Sequence, residues 1–172
     1  AYAGGNIFLT AVYTALIVWV IGLAVPVTAS YIISAVIAAP ALIMLGVPDY
    51  AAHMFVFYYA ILSEVSPPTA LSCFAAAALT GGNPYKTTLH AWKYTMPAFV
   101  VPFMFTLHPK GAGILLKGPA LDMGWTIITA FLGLTALAAG LENWLLKRTT
   151  VWERIMLFAG GLILIYPVAL YN

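Results

Sequence analysis

A carboxylate and four hydroxyls surround a Pro-Pro pair in the segment SEVSPPTALS, Ser63 to Ser72. Prolines have no backbone N–H and their rings obstruct the preceding helical turn, so carbonyls near Ser63 and Glu64 are expected to lack helical partners. Hard cations prefer oxygen ligands, which freed carbonyls and the Ser66 and Thr69 hydroxyls would supply. The segment therefore indicates either a cation site built from oxygens or a proline kink that serves packing alone.

Glu64 lies inside an otherwise apolar run from about Tyr50 to Leu79. A carboxylate at membrane depth is a functional-site hypothesis by default. It is interpreted as a proton or cation ligand, as the partner of a basic residue in a longer chain, or as a group that holds the break together. His53, eleven residues earlier, lies about 16 Å away along a helix, so the two cannot share a metal and His53 is predicted to be an interfacial or a packing histidine.

The composition indicates an all-α integral membrane protein. Hydrophobic residues make up 63% of the chain and charged residues 7%, whereas about a quarter of the residues in a soluble domain are charged. Four charge-free runs each approach the roughly 20 residues that cross a bilayer as a helix. A net charge of +2 and the single Cys73 argue against nucleic-acid binding, an internal disulfide framework and a cysteine metal site.

The first hydrophobic block, residues 7–45, is interrupted by GLAVPVTASY, Gly22 to Tyr31. Each arm holds about 15 residues and reaches roughly 23 Å, which is short for a core of about 30 Å. The pattern predicts a re-entrant helical hairpin. A kinked single span and two ordinary helices joined by a loop remain alternatives.

The rest of the chain predicts a discontinuous transmembrane helix followed by three further transmembrane helices. The discontinuous helix covers about 50–80 and is broken at the Pro-Pro pair. The next helix covers about 89–107 and is kinked at Pro97 and Pro102, and the last two cover about 123–146 and 154–170. Basic residues divide five against two between the predicted faces, which favours a C-terminus outside the cell.

Two stretches carry a family resemblance: the run from GLAVPVTASY through SEVSPPTALS to GGNPYKT, and MPAFVVPFMF after it. They resemble the C-terminal portion of the large membrane subunit of tripartite ATP-independent periplasmic (TRAP) transporters, above all the fused permeases that join the small and large subunits. The resemblance covers about Ile7 to His108. Because the chain opens without a signal peptide or an initiating Met, it is expected to be part of a longer permease.

The resemblance implies an elevator-type transporter built from inverted repeats, in which sodium ions sit between a hairpin tip and an unwound helix. The tip of this chain lacks the acidic residue that the family commonly carries there. The resemblance also implies a transport repeat over 1–108. The hydrophobic pattern predicts two additional transmembrane helices over 109–172. The residues that correspond to the sodium and substrate site are Gly22, Pro26, Thr28, Ser66, Pro67, Pro68 and Thr69.

The function implied is sodium symport of a small organic acid or similar solute across a bacterial or archaeal inner membrane. Expected partners are a periplasmic solute-binding protein and the remainder of the permease, including its small-subunit region; no cofactor is expected beyond the coupling ion. An enzyme is not expected, because H-E-x-x-H is absent and Asp49 and Asp122 fall at span ends. The alternatives are a non-transporting scaffold or assembly subunit and a proton-coupled carrier that uses Glu64.

Overall fold

The computed structural model describes residues 3–166. Within them the chain forms eight α-helices, with short 3-10 helices between some of them. The α-helices are α1 Ile7–Gly22, α2 Val27–Ile43, α3 Asp49–Leu62, α4 Leu71–Thr80, α5 Pro84–Thr95, α6 Val101–Leu107, α7 Ala120–Glu142 and α8 Val151–Ile165. The all-α prediction is therefore confirmed over the described residues.

Contacts divide the chain into two compact units, and the boundary lies between Thr95 and Met96. The first unit contains α1 to α5 and the second contains α6 to α8. The predicted functional division, 1–108 and 109–172, is a different kind of boundary and stays a prediction.

Helices α1 and α2 form an antiparallel hairpin. The first helix begins after Asn6, whose side chain accepts the Leu9 N–H at 3.1 Å. Tyr13 and Ile17 of α1 line the same depression as Ile37 and Met44 near the end of α2, so the kinked single span is wrong. The helices hold 16 and 17 residues, about 24 and 26 Å. Re-entry into the membrane stays a prediction.

The predicted discontinuous helix is present as two α-helices, α3 and α4. Between them lie a 3-10 helix, Ser63–Val65, and an irregular stretch over 66–70. The Tyr31 hydroxyl lies 3.1 Å from Nδ1 of His53, and the Tyr31 ring packs edge-on against Phe57 with centroids 5.6 Å apart. These contacts hold α2 against α3 and give His53 the packing role that the sequence predicts.

The predicted kinked helix over 89–107 is not continuous. Helix α5 already begins at Pro84, because the Asn83 side chain caps it by accepting the Lys86 N–H at 3.0 Å, and it ends at Thr95. A 3-10 helix, Met96–Val100, follows and leads into α6. Pro97 lies in that 3-10 helix, where its missing N–H and its ring disfavour α-helical bonding.

Glycines bring α7 and α8 into close antiparallel contact. A β-carbon on Gly161 would lie 2.9 Å from the Gly133 carbonyl oxygen, and one on Gly140 would lie 3.3 Å from the Arg154 carbonyl oxygen. The Arg154 Nε also donates to the Gly140 carbonyl at 2.9 Å. By length and composition, α7 is the one helix in residues 3–166 that is able to cross a membrane. Small residues permit such close helix packing in membranes.

Candidate functional site

Serine hydroxyls bond the carbonyls of the broken helix. The Ser63 hydroxyl donates to the Ala60 carbonyl and the Ser66 hydroxyl to the Leu62 carbonyl, both at 2.7 Å. The Ser72 hydroxyl donates to the Glu64 carbonyl at 2.9 Å. The carbonyl of Ser63 accepts the Ser66 N–H at 3.1 Å. The carbonyls of Ser63 and Glu64 therefore lack regular α-helical partners, as the prolines predict, and a 3-10 turn and a local hydroxyl supply the donors instead.

The segment between α3 and α4, residues 63–70, is the helix break. It ends at Ala70, which adopts a left-handed conformation with φ 36° and ψ 52°. Ala70 is fully buried, and its N–H donates to the Ser66 carbonyl at 3.1 Å. A left-handed conformation costs a residue with a β-carbon roughly 1–2 kcal/mol. Surrounding structure must hold such a residue in place, and backbone of this kind is concentrated at functional sites.

The hairpin tip packs directly on the break. A β-carbon built on Gly22 would overlap the Ser63 hydroxyl, would lie 2.7 Å from the Ser63 β-carbon, and would lie 3.2 Å from the Ser30 hydroxyl oxygen. Gly22 ends α1, Ser30 lies in the first turns of α2 and Ser63 opens the break. Three separate segments therefore meet at one point, and only a glycine leaves room for them.

Four serines at or near this meeting point have no solvent-exposed surface: Ser30, Ser63 and Ser66, and Ser34 one helical turn beyond Ser30. Ser30 and Ser34 lie four residues apart on one face of α2, and neither hydroxyl has a hydrogen-bond partner within residues 3–166. Burying a hydroxyl without a bond costs roughly 1–3 kcal/mol by protein mutational data. A ligand that these two oxygens bind would remove that cost.

The predicted site residues divide by exposure. Gly22 and Ser66 are buried in the cluster, whereas Pro26 and Thr28 at the tip and Thr69 after the prolines are exposed. Pro67 and Glu64 are half-buried and Pro68 is exposed. The structure therefore brings Gly22 and Ser66 into one buried region and leaves both threonines outside it.

Sequence reasoning missed Ser30, Ser34 and Ser63 as candidates. The available signal was the spacing of Ser30 and Ser34 by one helical turn in an otherwise apolar helix, which places both hydroxyls on one face. Ser63 was treated only as a source of a freed carbonyl. Its side chain proves to be the group that the hairpin tip contacts.

One family model matches the chain. A family model described as "Tripartite ATP-independent periplasmic transporter, DctM component" matches residues 1–110, a range that spans the hairpin, the broken helix and α5 to α6. No curated protein and no solved structure matches the chain. The match covers more than half of the residues and agrees with the resemblance drawn from the motifs. The chain belongs to the DctM family of tripartite ATP-independent periplasmic transporters.

Proposed function

We propose that this membrane permease component couples uptake of a small organic acid or similar solute to sodium entry. A soluble periplasmic binding protein delivers the solute, and the hairpin and the broken helix move as part of an elevator-type domain in the inner membrane. The remainder of the permease, including its small-subunit region, completes the transport path, and the C-terminus lies outside. Family membership supports the transport role, and the sodium coupling is argued from the site.

One observation carries the sodium proposal: the hairpin tip and the helix break meet through buried hydroxyls. The Ser63 and Ser66 hydroxyls already donate their protons to carbonyls, so their oxygen lone pairs remain available to a cation. Ser30 adds a further oxygen from the hairpin, beside Gly22. Oxygens held by broken helices are the donor set that secondary transporters use for alkali cations.

Glu64 supports a second candidate, coupling to protons. Its carbonyl is bonded to Ser72, and its side chain is half-buried in the 3-10 helix that follows α3. A carboxylate at this depth that binds and releases a proton would supply coupling without an alkali cation. In that case the serine cluster would serve packing alone.

The test is the thermal unfolding midpoint of the full, detergent-solubilised permease in sodium against equal concentrations of potassium and of choline. A ligand at a hundredfold excess over its dissociation constant stabilises the folded state by about 2.7 kcal/mol. The variants are Ser66→Ala, Ser30→Ala and Thr28→Ala. Thr106→Val is the matched control, because the buried Thr106 hydroxyl makes the same kind of bond to the carbonyl four residues earlier, at 2.8 Å.

Ser66→Ala is expected to lower the midpoint in every salt, since it leaves the Leu62 carbonyl without that donor at a cost of about 1–3 kcal/mol. The decisive quantity is the difference between sodium and potassium. It is expected to fall in the Ser66 and Ser30 variants and to persist in Thr106→Val. If wild type shows no sodium effect and Glu64→Gln abolishes pH-dependent uptake in proteoliposomes, the sodium proposal is wrong and the proton candidate replaces it.

A further inference from the structure

A groove of about 490 Å³ runs along the hairpin of α7 and α8. Its walls are apolar over most of their length and come from Ala136 of α7 and from Met156, Leu157, Gly160 and Leu164 of α8. Gly160 matters most, because a β-carbon on it would meet nothing within 4 Å. The glycine therefore keeps the groove open and is not required for contact between the helices.

One end of the groove is cationic. Lys147 and Thr149 line it there, and the exposed Arg148 lies between them in the chain. Glu153 also lines this end, but its Oε2 accepts the Thr150 N–H at 2.7 Å and the Thr150 hydroxyl at 3.0 Å. That carboxylate bonds the start of α8 and also lies in the field of Lys147. Two bases, Lys147 and Arg148, against one carboxylate leave this end with a net positive charge.

Two exposed tryptophans, Trp144 and Trp152, bracket the polar end in the chain. Tryptophans concentrate at membrane interfaces, so this end is expected at the depth of the lipid headgroups. The lining residues of α8 run from Glu153 to Leu164, eleven positions or about 16 Å. Half of a hydrocarbon core of about 30 Å is about 15 Å, so the groove is long enough to reach from the interface to the bilayer centre.

We propose that this groove binds an anionic phospholipid of the bilayer, with one acyl chain along Gly160 and the phosphate held by Lys147 and Arg148. The apolar length of the groove matches an acyl chain, its cationic mouth matches the anionic phosphate, and the expected depth of that mouth matches the headgroup region. Basic pockets between membrane helices recognise anionic headgroups in this way. The site lies outside residues 1–110, the range of the family match, and does not depend on the transport proposal.

The experiment is native mass spectrometry of the full permease released from nanodiscs that contain phosphatidylcholine and phosphatidylglycerol. The readout is the ratio of the two lipids that the protein retains. Gly160→Leu fills the groove, and Gly124→Leu is its matched control, because a β-carbon on Gly124 of α7 also meets nothing within 4 Å and Gly124 does not line the groove. Lys147→Gln with Arg148→Gln tests the mouth, and Lys86→Gln controls for loss of a surface charge.

Retention of phosphatidylglycerol over phosphatidylcholine is expected in wild type, Gly124→Leu and Lys86→Gln. Gly160→Leu is expected to abolish the preference, and each substitution at the mouth to weaken it about fivefold. Equal retention of both lipids, or a preference that survives Gly160→Leu, would overturn the proposal. So would a groove covered by protein, which would appear as no retained lipid and a midpoint lowered by Gly160→Leu but not by Gly124→Leu.

Discussion

The substitution Gly22→Ala tests the contact between the hairpin tip and the helix break most directly. The added β-carbon would overlap the Ser63 hydroxyl and would lie 2.7 Å from the Ser63 β-carbon. Rotating Ser63 away would break its bond to the Ala60 carbonyl and would not move the β-carbon. Overpacking of this kind costs about 1–3 kcal/mol. Alanine gains at most about 1 kcal/mol over glycine within a helix, so we expect a net loss of up to about 2 kcal/mol and a clear deficit against an alanine placed in open space.

The assay is the free energy of unfolding from sodium dodecyl sulfate titration of the full permease in mixed micelles. Gly124→Ala is the control, since its β-carbon enters open space and the helix gains stability. Ser63→Gly removes the two closest atoms that the β-carbon of Gly22→Ala meets, so the double variant is expected to be more stable than the sum of the two single changes by about 0.5–3 kcal/mol. A Gly22→Ala protein as stable as Gly124→Ala would refute the contact between tip and break.

Two further predictions concern α7 and α8. Gly161→Leu should lower the free energy of unfolding by at least about 1–3 kcal/mol, because its β-carbon would lie 2.8 Å from the Leu137 Cγ; equal stability of Gly161→Leu and Gly124→Leu in the same titration would contradict this. At the start of α8, hydrogen bonds from the Thr150 backbone and side chain and the charge of Lys147 hold the pKa of Glu153 below its ordinary value. That stabilisation is present above the ordinary pKa and is lost as pH falls through the lowered one. The thermal unfolding midpoint of wild type should therefore fall further than that of Glu153→Gln on acidification through this range. An equal fall of the two midpoints would contradict the prediction.

Local chemistry made the break predictable. Pro67 and Pro68 have no N–H to donate, so no tertiary arrangement restores regular α-helical bonding there. The hairpin was predictable for a similar reason, since the Gly22 to Pro26 segment ends one helix before another begins. The predicted start of α5 lies five residues late, because the Asn83-Pro84 pair is typical of a loop and also of a helix start, as a side-chain cap followed by a proline in the first turn.

Which hydroxyl of α2 faces the helix break was not predictable, because it depends on which face of α2 is buried. Thr28 and Ser30 are two residues apart, about 200° around a helix, so only one of them can face the break. The family resemblance implies Thr28 as a site residue, which stays a prediction; in the structure Ser30 is buried and Thr28 is exposed. Tertiary packing of α2 on α1 and α3 decides this, and periodicity is weak evidence where both faces of a helix are apolar.

On the proposed function, the hydrogen bonds at the helix break bear on how sodium would be coupled to movement of the hairpin. Hydroxyls of the broken helix itself bond the Leu62 and Glu64 carbonyls, so these two carbonyls do not need an ion as their partner. Two buried hydroxyls without a hydrogen-bond partner in residues 3–166 lie instead on the hairpin, at Ser30 and Ser34. A cation shared between Ser30 and the serines of the break would bind only where Gly22 rests against Ser63. A ligand shifts a conformational equilibrium by its difference in affinity for the two states, so sodium would favour the docked hairpin, and Ser30→Ala would weaken that coupling while the break stayed intact.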